Sequence, residues 1–156
     1  MSGEFRVGVI SDTHGLLRPE AVSTLAGVDR IIHAGDIGSP ELLQELRRIA
    51  PVTAVRGNID RERWARSIPT TIALALGEAR LFVIHDLADM KFDPHSEGFA
   101  AVISGHSHVP NSEIRDGVLF FNPGSAGPRR FRCPTALGFL SIRGESVTGE
   151  IQILNN

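Results

Sequence analysis

The chain has 156 residues, 42% of them hydrophobic and 22% charged, with 16 glycines and 9 prolines spread along its length. That profile fits one globular domain spanning residues 1–156 and excludes disordered, fibrous and two-domain architectures. Sixteen basic side chains against 18 acidic ones give a formal net charge of −2, a balance that carries no signature of a nucleic-acid or anionic-membrane partner.

The first third of the chain repeats one pattern three times. The apolar run "RVGVI" ends in "SDTHG" and leads to the helix-like "RPEAVSTLAG"; "RIIHA" ends in "GDIGS" and leads to "PELLQELRRI"; "PVTAV" ends in "RGNID" and leads to "RERWARS". Alternating strand and helix predicts parallel β-α units. From about residue 70 the strands follow one another without long helices: "TTIALAL", "ARLFVIH", "AAVISGH", "SEIRD", "VLFFN", "TALGFLSIR" and "SVTGEIQIL". Glycines in "ALGEAR" and "RDGVL" mark hairpin turns, so this half reads as a mostly antiparallel sheet. Two sheets packed face to face, with helices on the outside, are expected.

In open α/β sheets ligands gather at the carboxyl ends of the strands. Here those ends carry Asp12 and His14, Asp36, Asn58, His85, and then His106 with His108. Each has an ordinary reading alone, since GD and GN are common turn dipeptides and a lone histidine is usually structural. Five such strand ends together point to one site. Seven oxygen and nitrogen donors exceed the needs of one tetrahedral metal and suit two five- or six-coordinate metals sharing a ligand, a role that fits a central carboxylate such as Asp36 through its two oxygens. The absence of thiolate favours borderline first-row metals and leaves Cys133 outside the set. If the strand before "GHSH" continued, His106 and His108 would face one way, ~6.5–7 Å apart.

In this order, "SDTHG", "AGDIG", "RGNID", "VIHD" and "SGHSH" resemble the signature of the calcineurin-like metallophosphoesterase superfamily, and "NPGS" at residues 122–125 is similar to a segment of its small prokaryotic phosphodiesterase (YfcE-like) branch. The resemblance covers nearly the whole chain. It implies an α/β fold, a four-layer αββα sandwich of two mixed β-sheets flanked by helices. It also implies two divalent transition metals, manganese first, with iron, zinc, nickel or cobalt as alternatives. Asp12, His14, Asp36 and His108 would hold one metal, and Asp36, Asn58, His85 and His106 the other. The implied reaction is in-line attack of a metal-bridging hydroxide on a small phosphodiester, with Asp36, Asn58 and His106 as catalytic positions. The alternatives are a phosphomonoesterase or nucleotidase, and a non-catalytic scaffold like the retromer subunit of this fold.

The chain departs from that pattern twice. Ile59 follows the GN where many members have a histidine, so no side chain is evident as general acid and good leaving groups are expected to be preferred. The strand-end histidine continues as "HDLADM" instead of HGH, which makes Asp86 a competing ligand; His85 is preferred because it directly follows "LFVI".

Elsewhere, His33 is expected to be buried behind the site, Asp60 to cap the helix-like "RERWARS", and His95 to lie on the surface. "NPGS" reads equally as a turn or as a source of backbone N–H groups. The arginines after it, Arg129, Arg130 and Arg132, and those after Asn58, Arg61, Arg63 and Arg66, read as solvated faces, from which one guanidinium near the cleft would clamp a second phosphate. The single cysteine excludes an internal disulfide, no apolar run approaches the roughly 18 residues of a membrane span, and no signal-peptide core precedes "SDTHG"; a cytoplasmic protein follows, and a homo-oligomer stays open.

Overall fold

In the computed structural model, which describes residues 3–130 and 132–154, the β-α alternation forms as expected. Strand β1 (Glu4–Ile10) leads to helix α1 (Pro19–Leu25), β2 (Arg30–His33) to α2 (Pro40–Arg47), and then comes β3 (Val52–Ala54). Both helices begin with proline, whose fixed φ suits the first turn and whose missing N–H costs nothing there. Ser39 caps α2 by accepting from the Leu42 N–H at 3.4 Å. The amphipathic spacing then buries Leu42, Leu43 and Leu46.

The third expected helix does not form. "RERWARS" holds only a 3₁₀ turn, Arg63–Ala65, because its apolar residues Trp64 and Ala65, with Ile68 just beyond, cannot fill an apolar stripe for longer than one turn.

The remaining strands are β4 (Thr71–Leu76), β5 (Ala79–Ile84), β6 (Ala101–Ile103), β7 (Asn111–Arg115), β8 (Val118–Asn122), β9 (Ala136–Arg143) and β10 (Ser146–Ile153). They complete two mixed five-stranded sheets, in the orders β10-β9-β1-β2-β3 and β4-β5-β6-β8-β7. The hairpins expected at Gly77 and Gly117 are present, joining β4 to β5 and β7 to β8. The second half is less antiparallel than its short turns suggested. Strand β5 pairs parallel with β6 and β6 parallel with β8, and β9 and β10 cross over to complete the first sheet.

The sheets pack face to face through Val7, Val9, Ile32 and Leu140 on one side and Leu81, Val83, Ile103 and Phe121 on the other. Helices α1 and α2 cover the outer face of the first sheet, over Ile10, Ile31 and Phe139. On the outer face of the second sheet, Phe82, Ile84 and Val102 are covered by Leu87, Met90, Phe92 and Phe99 from a loop containing a 3₁₀ turn, Leu87–Asp89. That outer layer is thin and, among the described residues, has no α-helix.

Topology puts the chemistry at one end. Parallel pairing of β1 with β2 aligns Ile10 with His33, so the loops after them leave the sheet side by side. Those loops stay zipped together by backbone hydrogen bonds: Asp12 N–H to Gly35 O (2.9 Å), His14 N–H to Asp36 O (3.0 Å) and Gly15 N–H to Ile37 O (2.7 Å). In the other sheet, Gly105 N–H likewise donates to His85 O at 3.0 Å.

Candidate metal centre

The structure brings Asp12, His14, Asp36, His85 and His108 together in two overlapping groups whose ligand atoms lie within 4.8 Å of one another: Asp12 with His14 and His108, and Asp12 with Asp36 and His85. His108 Nε2 is 3.3 Å from Asp12 Oδ1. His85 Nε2 is 3.4 Å from Asp36 Oδ2 and 3.8 Å from Asp12 Oδ1, and His14 Nε2 is 3.8 Å from Asp36 Oδ2.

Each carboxylate spends one oxygen on hydrogen bonds from the loops around it and turns the other inward. Asp12 Oδ2 accepts from Ser11 Oγ (2.7 Å) and from the His106 N–H (3.0 Å), and Asp36 Oδ1 accepts from the Ile59 N–H (3.2 Å). Of the two Asp36 oxygens, Oδ2 is the one that faces His14 and His85.

Backbone conformation marks the same residues. Asp12, His14, Asp36, His106 and His108 all have positive φ, between 48° and 71°. Among the described residues the one other non-glycine with this conformation is Asp116, in the β7–β8 hairpin turn. Aspartate and histidine tolerate the left-handed region better than most residues, yet each instance still costs of order 1–3 kcal/mol and persists where the surroundings enforce it. Glycines let the loops come this close. A Cβ on Gly57 would sit 2.1 Å from Asp36 Oδ1, and one on Gly105 would sit 2.0 Å from Ser11 Oγ.

The positive φ values also overturn the extended reading of "GHSH". Strand β6 stops at Ile103, and the left-handed turns at His106 and His108 send one ring to the rim and the other inward. His108 is buried. The His106 side chain is 47% exposed, packs edge-on against the His85 ring at 5.2 Å between centroids, and faces Asp86 Oδ2 at 3.6 Å. Asn58 is exposed and lines the same cleft as His85 and His106. Asp86 accepts from the Ala88 N–H (3.0 Å), starting the short turn after β5, while His85 points into the cluster.

Burial and charge pull on these groups in opposite directions. Burial pushes the Asp12 carboxyl above the usual range, against the opposing pull of the Ser11 hydroxyl and of His85 and His108. Burial acts on Asp36 the same way, but His85 and the Ile59 N–H outweigh it and hold its carboxyl low. Burial lowers His85, yet Asp36, Asp12 and the Ala34 carbonyl raise it overall; burial dominates for His108, which stays low.

Several residues brace these loops without facing the cluster, and the sequence disclosed only part of their work. His33, expected behind the site, is fully buried there. Its Nδ1 accepts from the Gly35 N–H (3.0 Å), so Nε2 carries the proton and donates to Thr13 Oγ1 (2.9 Å), which donates to Ile37 O (2.8 Å). Burial, joined by His85, pulls the His33 imidazole down to about 3. Asp60 does not cap the turn after it. It is buried and accepts from Ile37 N–H (3.0 Å), Gly38 N–H (3.0 Å) and Gly57 N–H (2.9 Å), tying the Asp36 loop to the Asn58 loop. "NPGS" turns out to be a brace: Asn122 Nδ2 donates to Gly105 O (3.0 Å) and Ser125 Oγ to Asp12 O (3.1 Å).

Residues 5–145 match the model of the calcineurin-like phosphoesterase superfamily domain. The chain belongs to the calcineurin-like phosphoesterase superfamily. A probable metallophosphoesterase of Methanothermobacter thermautotrophicus is 35% identical over 93% of this chain and 90% of its own. Among solved structures, an archaeal phosphodiesterase superposes with a TM-score of 0.78 at 25% identity, over 94% of this chain and 99% of that one. Vacuolar protein sorting 29 from Cryptosporidium parvum superposes with a TM-score of 0.82 at 19% identity, over 98% and 93%, a likeness of fold.

Calcineurin-like phosphoesterases depend on metal, and the residues here fit one. Asp12 Oδ1, His14 Nε2, His85 Nε2 and His108 Nδ1 are buried with no hydrogen-bond partner. Buried polar atoms left unpaired are costly, and all four belong to residues of the two groups that could hold a cation.

Proposed function

We propose that this calcineurin-like phosphoesterase is a binuclear metal-dependent phosphodiesterase acting on a small phosphodiester. The observation that carries the proposal is the convergence of His14, His85 and His108 on two inward-facing carboxylate oxygens, Asp12 Oδ1 and Asp36 Oδ2. Asp12, His14, Asp36 and His108 would hold one cation, and Asp36, Asn58, His85 and His106 the other. Oxygen and imidazole donors without thiolate suit borderline first-row ions, and among these manganese is the first choice that the family resemblance implies, with iron, zinc, nickel and cobalt as alternatives. When bound, such a pair supplies an activated water near neutral pH and neutralises charge on the phosphoryl oxygens.

The residues of the chain do the positioning. Asp36, whose Oδ2 faces both His14 and His85, would be the shared ligand. Asn58 would present its amide oxygen to the cation, keeping its NH₂ for a phosphoryl oxygen and adding no negative charge beside an anionic substrate. His106, at the rim between the cluster and the open cleft, would orient the phosphoryl group, with Asp86 beside its ring. Ile59 leaves no proton donor beside Asn58, so departure of the leaving oxygen relies on that oxygen's own acidity or on solvent.

Phosphodiester preference is supported by the named activity of the archaeal structural neighbour. The test is a panel of chromogenic mono- and diesters with manganese, nickel, cobalt, zinc and iron in turn. Diester turnover above monoester turnover is expected. The reverse order would make the protein a monoesterase, and silence with every metal would leave only a scaffold of this fold.

A further inference from the structure

Beside the candidate metal centre lies a cleft of about 690 Å³, within the size range of small-molecule sites. Asn58, His85 and His106 line it where it meets the candidate site, and Arg56, Arg61, Arg66 and Thr70 line it as well. A scissile phosphoryl group held beside Asn58, His85 and His106 would fill only part of it.

Three aspartates, Asp60, Asp86 and the exposed Asp89, line this cleft together with the three arginines, but the two sets do not pair. None of the three arginines pairs with a carboxylate among the described residues. The acid nearest in sequence, Asp60, has both oxygens committed to three backbone N–H groups. Asp86 is engaged with the Ala88 N–H and His106. Arg56 is half-buried and lines the cleft without an anionic partner among the described residues. Arg61 is aimed by the ligand loop itself: its Nε donates to the Asn58 carbonyl at 2.9 Å, which leaves both terminal nitrogens for another acceptor. Planar guanidinium forks match the paired oxygens of a phosphoryl group.

We infer that the arginine-lined cleft binds a second phosphoryl group on the substrate, so that the protein selects phosphodiesters carrying an additional phosphate over those without one. This selectivity rests on the phosphodiesterase reading and adds to it a substrate class. Arg56 and Arg61 are the specificity-determining residues. Arg66, which is exposed, extends the same positive wall.

Two chromogenic esters that differ only in the second phosphate test this: thymidine 5′-(p-nitrophenyl phosphate) and the same compound bearing a 3′-phosphate. The expected result is a kcat/KM at least about tenfold higher for the 3′-phosphorylated ester, the worth of one charge-assisted hydrogen bond. Arg56→Met and Arg61→Met should each remove most of that preference, chiefly through KM, and Arg56→Lys should restore part of it. Equal kcat/KM for the two esters in the parent would overturn the second-phosphate site while leaving diester hydrolysis standing. If neither ester is turned over, the phosphodiesterase reading fails, and calorimetric binding of thymidine 3′,5′-bisphosphate against thymidine 5′-monophosphate in manganese decides the cleft alone. Tighter binding of the bisphosphate, lost in Arg56→Met protein with an unchanged circular dichroism spectrum, supports it; equal affinity, or a preference that survives both substitutions, overturns it.

Discussion

Asp36 Oδ2 lies 3.4 Å from His85 Nε2, and the other oxygen of the same carboxylate is tied to the Ile59 N–H. Those residues come from loops on different sheets, β2 supplying Asp36 and β5 supplying His85. The contact therefore exists only because the two sheets are packed face to face, with their ligand-bearing ends in register.

Replacing Asp36 with Asn should remove the shared anionic oxygen while nearly preserving shape. Diester turnover should fall about a thousandfold or more, and bound metal should fall with it. Steady-state kinetics paired with elemental analysis of the variant reads both, and near-parental turnover would refute the shared role of Asp36.

Asp60 is expected to matter although it faces away from the cluster. Asp60→Asn turns an amide nitrogen toward at least one of three backbone donors, a cost of about 1–3 kcal/mol, and Asp60→Ala leaves all three unpaired for about 3 kcal/mol or more. Urea denaturation should rank the parent above Asn and Asn above Ala. Activity should drop in the same order, because Gly38 and Gly57, next to ligand residues, lose their common anchor. A stability change without any change in metal affinity would contradict the positioning role.

The buried imidazole of His33 makes a pH prediction. Its folded pKa, about 3, lies below the ordinary 6.5, so the neutral form is the one the fold accepts. Below pH 6.5 the unfolded chain takes up a proton that the folded one refuses. Stability from this residue is therefore complete above that pH and is lost as pH falls toward about 3, at about 1.4 kcal/mol per unit. His33→Gln, which cannot be protonated, should be less stable than the parent at pH 7.5 yet show a shallower loss between pH 6.5 and 4.5. Parallel stability curves for the two proteins would count against this assignment.

Ile59, 42% exposed beside Asn58, offers an alkyl surface where a proton donor would assist leaving-group departure. Turnover should thus depend steeply on leaving-group acidity, with p-nitrophenyl diesters far ahead of phenyl and alkyl ones. A rate series across substituted phenyl methyl phosphates measures the slope, and a flat series would show that the chain does supply an acid.

Much of this arrangement was legible in the sequence because period and chemistry coincided. Apolar runs ending in Asp, Asn or His placed all seven candidate ligands at strand ends, and the proline-led, leucine-rich segment at residues 40–47 formed its helix. What could not be read depended on contacts between distant segments. "RERWARS" has helix-forming residues but too small an apolar face, so packing allowed one turn. Asp60 resembled a helix cap because its sequence neighbours suggested a helix; its partners Ile37 and Gly38 lie 23 and 22 residues away. The left-handed conformations of His106 and His108 are enforced by surrounding loops, with Gly105 passing against Ser11 from the first strand's loop, and no local signal in "GHSH" announces them. Parallel pairing of β5, β6 and β8 was hidden for the same reason, since short strands with glycine turns look alike in either direction.

The most direct test of the metal-centred account is the metal content of protein purified from manganese-supplemented medium, measured by elemental analysis for the parent and for His14→Ala and His85→Ala. The account predicts about two transition-metal ions per parent chain, with each substitution lowering that number and abolishing diester hydrolysis. A parent chain that binds no metal, or whose metal content is indifferent to both histidines, would contradict it.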